Sequence, residues 1–404
     1  MTTTRGGHPS EDHVPDLSPF SSPAPLGAGA PPESSGGSGG TAEAGNSVSA
    51  ADGGRPGRRL STMMVAGLAA LGLGIAVGTL PVPYVIESPG PTYNTLGDSQ
   101  GHPVINVSGH ETYPAAGSLD LTTVYVDGGP TGSVSILNAF SAWLDNSKAV
   151  YPEELIYPTG TTKQEAQEQS AVAMATSQEN AVASALNELK IPFGQQAQAA
   201  GLSKDSASAG KIQQGDVLKS INGKDITSLA VIQDELAAGK GAPVSVTVER
   251  DGQPVTLKVT PKDNGQGRFI LGVMLKYLFS FPFQVQISLD KVGGPSAGLM
   301  FSLGIIDTVT PGDLTGGKHI AGTGTISPDG AVGPIGGIGQ KMRGARSSGA
   351  SLFLAPAGNC DEVAGHIPDG LQVVRVENLA EARHAVELAG SGQDTSALPA
   401  CTGK

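Results

Sequence analysis

The sequence predicts an α+β protein behind one transmembrane helix, and three observations carry that prediction. An uncharged apolar stretch covers residues 60–86, short alternating strands with glycine turns fill residues 191–262, and β and α elements alternate through residues 266–390. At 404 residues the chain has room for two or three domains of about 150 residues each.

Composition narrows the class. Only 15% of residues are charged, and 58 Gly with 29 Pro mean that part of the chain cannot be packed globule. A net charge of -12, from 25 Lys+Arg against 37 Asp+Glu, offers no cationic surface for phosphate backbones, so nucleic acid is not an expected partner. Two cysteines are too few for a disulfide scaffold or a thiolate zinc cage, and no His-Glu-x-x-His run exists, so neither metal nor cofactor is indicated.

Residues 1–59 are Gly, Ser, Pro and Ala with almost no large apolar side chain, the signature of a disordered tail. The 27 residues 60–86 that follow suffice as a helix to span about 30 Å of hydrocarbon. Pro81 and Pro83 would stop that helix near the far interface, where Tyr84 fits. Arg55, Arg58 and Arg59 precede it and no Lys or Arg follows until Lys148, which predicts a single-pass protein of the cell membrane with a cytoplasmic N-terminus and an extracytoplasmic remainder. The competing reading is a cleaved signal peptide with Ala76-Val77-Gly78 as an imperfect site; the long apolar run and long leader favour an anchor. An exported domain can keep a disulfide, so Cys360 and Cys401 are either a bridge tying the C-terminal tail, residues 391–404, or two separate thiols.

Residues 87–190 read as the first strands and helices of the exported region. Val134, Ile136, Leu137, Phe140 and Leu144 fall at roughly helical spacing around the sole tryptophan, Trp143, which is expected in a core. Residues 162–190 are rich in Gln, Glu and Ala without Gly or Pro; they predict helix with a solvated charged face and no chemistry. From residue 191 to 262 alternating valines flank an Asp251-Gly252 turn and a helical Leu229, Ile232, Leu236 pattern. With Gly210-Lys211-Ile212-Gln213-Gln214-Gly215-Asp216-Val217-Leu218 and Ile221-Asn222-Gly223, this unit resembles a PDZ domain. That resemblance implies a groove that captures extended peptides and their C-termini, with Phe193 and Gly194 in the carboxylate loop, against a β-rich spacer without a ligand.

The chemistry concentrates in Gly293-Gly294-Pro295-Ser296-Ala297-Gly298, which precedes an apolar helical run. A serine there sits at a strand-to-helix turn, where the backbone around Gly294, Pro295 and Ala297 offers amides and the positive helix end to an oxyanion. A serine that merely caps the helix is the plainer alternative. The run formally matches G-x-S-x-G, with Asp361 and His366 or His384 as nominal partners, but too little chain follows for an α/β-hydrolase sheet. Gly312-Asp313-Leu314-Thr315-Gly316-Gly317-Lys318-His319 approaches a phosphate loop but puts histidine at the hydroxyl position and leads into a strand.

A second motif decides among these: Thr323-Gly324-Thr325-Ile326, then Gly333-Pro334-Ile335-Gly336-Gly337-Ile338-Gly339-Gln340-Lys341. Together with the serine motif it resembles the proteolytic domain of the Lon family, over about residues 266–390. With the helix and the PDZ-like unit, the whole resembles the bacterial membrane-anchored PDZ-containing Lon-like proteases. The resemblance implies a catalytic dyad of Ser296 and Lys341, 45 residues apart, with Thr323 orienting the lysine; Thr325 departs from the acidic residue common in Lon proteases. Lysine acts as a base only when neutral, which takes about 4 kcal/mol of desolvation. The Gly- and Ile-rich approach to Lys341 predicts an apolar pocket, and Arg343 and Arg346 nearby should add positive potential. No intact Walker motif is present, so the expectation is ATP-independent endopeptidase activity on unfolded or flexible exported or membrane proteins, in a chain that can form homo-oligomeric rings. The alternative is a membrane-tethered PDZ scaffold or chaperone-like peptide-binding protein without catalysis.

Overall fold

The computed structural model describes residues 56–289 and 292–401, with side chains from Thr62 onward. The expected tail therefore lies outside the described residues, apart from its last four, which open a helix. In chain order the main elements are α1 (Pro56–Gly78), β1 (Tyr84–Asn94), β2 (Ile105–Ser108), β3 (Ser118–Gly128), α2 (Ile136–Leu144), β4 (Ala149–Pro152) and α3 (Lys163–Glu188). There follow β5 (Gly194–Leu202), β6 (Val217–Ile221), α4 (Leu229–Gly239), β7 (Val244–Arg250), β8 (Gln253–Val259), β9 (Val273–Ser280) and β10 (Gln284–Ile287). The last group is α5 (Gly298–Val309), β11 (His319–Gly322), α6 (Ile338–Ser347), β12 (Leu352–Pro356), β13 (Gln372–Val376) and α7 (Leu379–Gly390). The chain divides into two units, one of residues up to Ser88 with Tyr125–Lys163, the other of Pro89–Val124 with the residues from Gln164 on.

In the first unit, α1 has 23 residues and leaves its apolar side chains exposed from Met63 to Val77. Among the described residues no helix is long and apolar enough to cross a membrane. The helix expected over 60–86 begins earlier and stops at Gly78. Pro81 and Pro83 lack the amides a helix would need, and the β-branched Val85 and Ile86 prefer a strand. Pro81–Val82 pairs antiparallel with Val134–Ser135, and Tyr84–Glu87 pairs with β4. Ile86, Val134 and Ala142 form a small core, and Ser135 caps α2 by accepting from the Asn138 amide. Trp143 is not in that core but 72% exposed.

The second unit holds two cores. The larger packs α3, α5 and α7 against a sheet ordered β13-β12-β11-β3-β1, with β11 parallel to both β3 and β12. A parallel centre buried on both faces explains the unbroken apolar runs of β12 and α5. The smaller core gathers Ile212, Leu218, Ile221, Ile232, Leu236 and the valines of β7 against a sheet ordered β8-β7-β6-β5-β9. Asp251 and Gly252, both at positive φ, make the tight turn between β7 and β8. The boundary expected at residue 262, with the next domain starting at 266, is too early. β9 pairs with β5 from Val273 opposite Leu202 to Ser280 opposite Gly194, so the unit runs to Ser280. Ladder hydrogen bonds to a strand some 70 residues earlier leave no local trace in the sequence.

Candidate active site

Ser296 stands two residues before α5, in a loop that glycine and proline shape. Gly294 sits at φ +83, a conformation that disfavours other residues, and Pro295 cannot donate. The loop is held from both sides. Toward α3, the Gly294 amide donates to the Ser170 carbonyl at 3.1 Å, and Ser177 Oγ donates to the Pro295 carbonyl at 2.9 Å. Toward the end of β11, the Ser296 carbonyl accepts from the Gly324 amide at 2.8 Å and from Thr323 Oγ1 at 3.0 Å. Gly298 permits this closeness: a Cβ there would lie 2.7 Å from Ile326 Cγ2 and 2.9 Å from Ser177 Oγ.

Lys341 occupies the first turn of α6, where Gly337 at φ +68 reverses the chain into the helix. Its side chain is 3% exposed, and that of Thr323 fully buried. Nζ donates to Ser296 Oγ at 2.7 Å and to Thr323 Oγ1 at 3.1 Å. The three side chains thus meet, while Ser296 itself is only half-buried, so the hydroxyl has a route to solvent and the amine does not. The approach to α6 is apolar as well: Ile335, Ile338 and Met342 pack with Cys360, which is disulfide-bonded to Cys401. Asn359 fixes that approach, accepting from the Ile335 amide at 2.9 Å and donating to its carbonyl at 2.8 Å.

Other expected site residues lie elsewhere or act differently. The Gly294 amide is taken by Ser170 and is not free for an oxyanion, which leaves the amides at Ser296 and Ala297 on the helix side of the loop. Arg346 is exposed and donates to the Asp369 carbonyl, so its charge is spent at the surface. Phe193 packs its ring 6.0 Å from Phe279 and 5.5 Å from Phe281, and Gly194 opens β5. His319 begins β11 and bonds Asp120 at 2.8 Å, which fits a strand terminus and not a phosphate loop. Among the described residues no group of His, Cys, Asp or Glu is placed to hold a metal ion. The sequence reading missed Ser170, Ser177 and Asn359; the only signal was the recurrence of small residues along the face of α3 at 170, 177, 181 and 184.

Residues 289–387 match the family described as the Lon protease (S16) C-terminal proteolytic domain. Over 92 residues the chain is 36% identical to Lon protease 2 of Bacillus subtilis (strain 168), covering 22% of this chain and 16% of that one. Over 180 residues it is 27% identical to Lon protease of Helicobacter pylori (strain ATCC 700392 / 26695), covering 41% of this chain and 21% of that one. The chain therefore spans under a quarter of the length of these curated relatives. Among solved structures, the PDZ domain of an SdrC-like protein from Listeria innocua superposes with a TM-score of 0.19 at 18% identity, over 20% of this chain and 92% of that one. That of an SdrC-like protein from Listeria monocytogenes gives 0.18 at 18% identity, over 20% and 85%. The sequence matches support a Lon-like protease region in residues 289–387, the stretch that holds Ser296, Thr323 and Lys341.

Proposed function

We propose that this chain is a membrane-attached serine endopeptidase that works without ATP, with Ser296 as nucleophile and Lys341 as general base. The observation that carries the proposal is the buried Nζ 2.7 Å from Ser296 Oγ. Burial strips water from an amine and favours its neutral form, which can take the serine proton. As Oγ attacks a peptide carbonyl carbon, the proton passes to Lys341, and charge builds on the carbonyl oxygen beside the Ser296 and Ala297 amides and the positive end of α5. Lys341 then gives the proton to the departing amine, leaving an ester on Ser296. Water, deprotonated by the same lysine, hydrolyses that ester and restores the serine. Thr323 holds both partners: it donates to the Ser296 carbonyl while accepting from Nζ.

Substrates in this reading are unfolded or flexible segments, since nothing in the matched region supplies an unfolding motor. The PDZ-like unit presents them by strand addition. Its receptive edge is β9, which ends its sheet. Attachment rests on α1, apolar and exposed around its circumference, with Arg55, Arg58 and Arg59 on the cytoplasmic side. The apolar run begins at Leu60, before the first described side chain. The test is hydrolysis of an unfolded reporter protein without ATP by the full chain and by Ser296→Ala and Lys341→Met, the latter keeping the bulk of the buried stem. Both variants should be inactive, and hydrolysis by either would sink the dyad.

A further inference from the structure

In the first unit, α2 is built inside out for a protein surrounded by water. Its small residues Ala139 and Ala142 face the core, Ala142 at 2% exposure, while Leu137, Phe140, Trp143 and Leu144 point outward, Trp143 at 72%. Phe140 and Trp143 share that outer stripe, with ring centroids 6.3 Å apart. A helix on a soluble domain turns its large apolar side chains inward. Nothing on this stretch is charged, from Gly128 through Leu144.

The same helix is fastened to the end of α1. The Ile136 amide donates to the Leu80 carbonyl at 3.2 Å, Pro81 and Val82 pair with Ser135 and Val134, and a Cβ on Gly78 would lie 2.7 Å from Leu137. Wherever the exposed apolar surface of α1 ends, the outer face of α2 begins. We infer that α2 lies in the interfacial layer of a lipid bilayer, with Phe140 and Trp143 immersed below the headgroups. This rests on the proposal that α1 attaches the chain to a membrane. An aromatic ring with one polar edge suits that layer, and an uncharged helix with an outward apolar stripe buries its surface there without losing a hydrogen bond.

Trp143 is the chain's sole tryptophan, so its emission reports on α2 alone. The full chain is reconstituted in vesicles of phosphatidylcholine and phosphatidylglycerol, in plain form and with bromine on the upper acyl carbons. The inference expects flotation with the vesicles, emission shifted to shorter wavelength, loss of most emission in brominated lipid, and no quenching by aqueous iodide. Flotation with a tryptophan open to iodide would overturn the inference while leaving attachment by α1 intact. A chain that does not float would overturn both. Emission protected from iodide and bromine alike, and dependent on the protein-to-lipid ratio, would show a second copy covering α2 and overturn the inference too.

Discussion

Thr323→Val isolates the hydroxyl that touches both halves of the proposed Ser296–Lys341 dyad. Valine matches threonine in shape, so the pocket stays filled while the link between the Ser296 carbonyl and Lys341 Nζ disappears. The Ser296 carbonyl keeps the Gly324 amide at 2.8 Å, so the fold should lose only about 0.5–1.5 kcal/mol. The amine loses more. When it carries the serine proton it is a buried cation, and a hydrogen bond to such a group contributes about 1.5–3 kcal/mol. That support is withdrawn where the lysine becomes charged, on the way to the tetrahedral intermediate, so it should appear in kcat. At about 1.4 kcal/mol per tenfold, kcat/KM should fall roughly 10- to 150-fold. The assay is hydrolysis of a fluorogenic peptide alongside thermal unfolding, with Thr323→Ser as the variant expected to restore most activity. A Thr323→Val enzyme within about twofold of the parent would refute the role of the hydroxyl, whatever its stability.

Three further outcomes follow from the second unit. Burial pushes the Asp307 carboxyl up to about 6 from its ordinary 3.8, so the folded state holds that proton more tightly than the unfolded chain. The stability so gained, on the order of 3 kcal/mol, is present below about pH 4 and lost as pH rises through about 6; Asp307→Asn, which keeps an oxygen for the Leu314 amide, should flatten the thermal midpoint between pH 4 and 7, and an unchanged slope would count against it. Arg250 holds the buried Asp216 carboxyl low, so Arg250→Met should lower the unfolding midpoint of the smaller-core sheet near neutral pH, with the deficit shrinking as pH falls through the carboxylate range. Opening the Cys360–Cys401 bridge, which spans 41 residues, should destabilise by up to about 4 kcal/mol on chain entropy, visible as a lower midpoint for the double alanine variant.

What could be read in the sequence was what is local. Ser296 and Lys341 sit in glycine-framed motifs of six and nine residues, and the resemblance of those motifs to the Lon proteolytic domain is what marked both residues and Thr323. The asparagine-glycine and aspartate-glycine turns and the alternating valines gave the smaller sheet its strands, but β9 joins that sheet through a partner beginning 79 residues earlier in sequence, and no pattern in its own eight residues says so. Trp143 was misplaced for a related reason. Helical spacing identifies a stripe of large apolar residues but does not say what that stripe packs against.

The supports of Ser296 and Lys341 lie far apart in sequence for a physical reason. A lysine can stay buried near a hydroxyl only if neighbouring backbone cannot relax away from it or let water in. One element cannot enforce that. The Ser296 loop is fixed by α3 through Ser170 and Ser177, the latter 118 residues before its bonding partner Pro295, and by the strand end at Thr323 and Gly324. The lysine helix is fixed in turn by Asn359, whose side chain closes on Ile335 next to the Cys360 bridge. Each contact goes to a backbone carbonyl or amide, which nearly every residue type offers, so only the small size of Ser177 or the shape of Asn359 is specified by sequence. Position in such a site is set by side chains that bind backbone, and a sequence motif records the residues of the proposed dyad far better than the atoms that hold them in place.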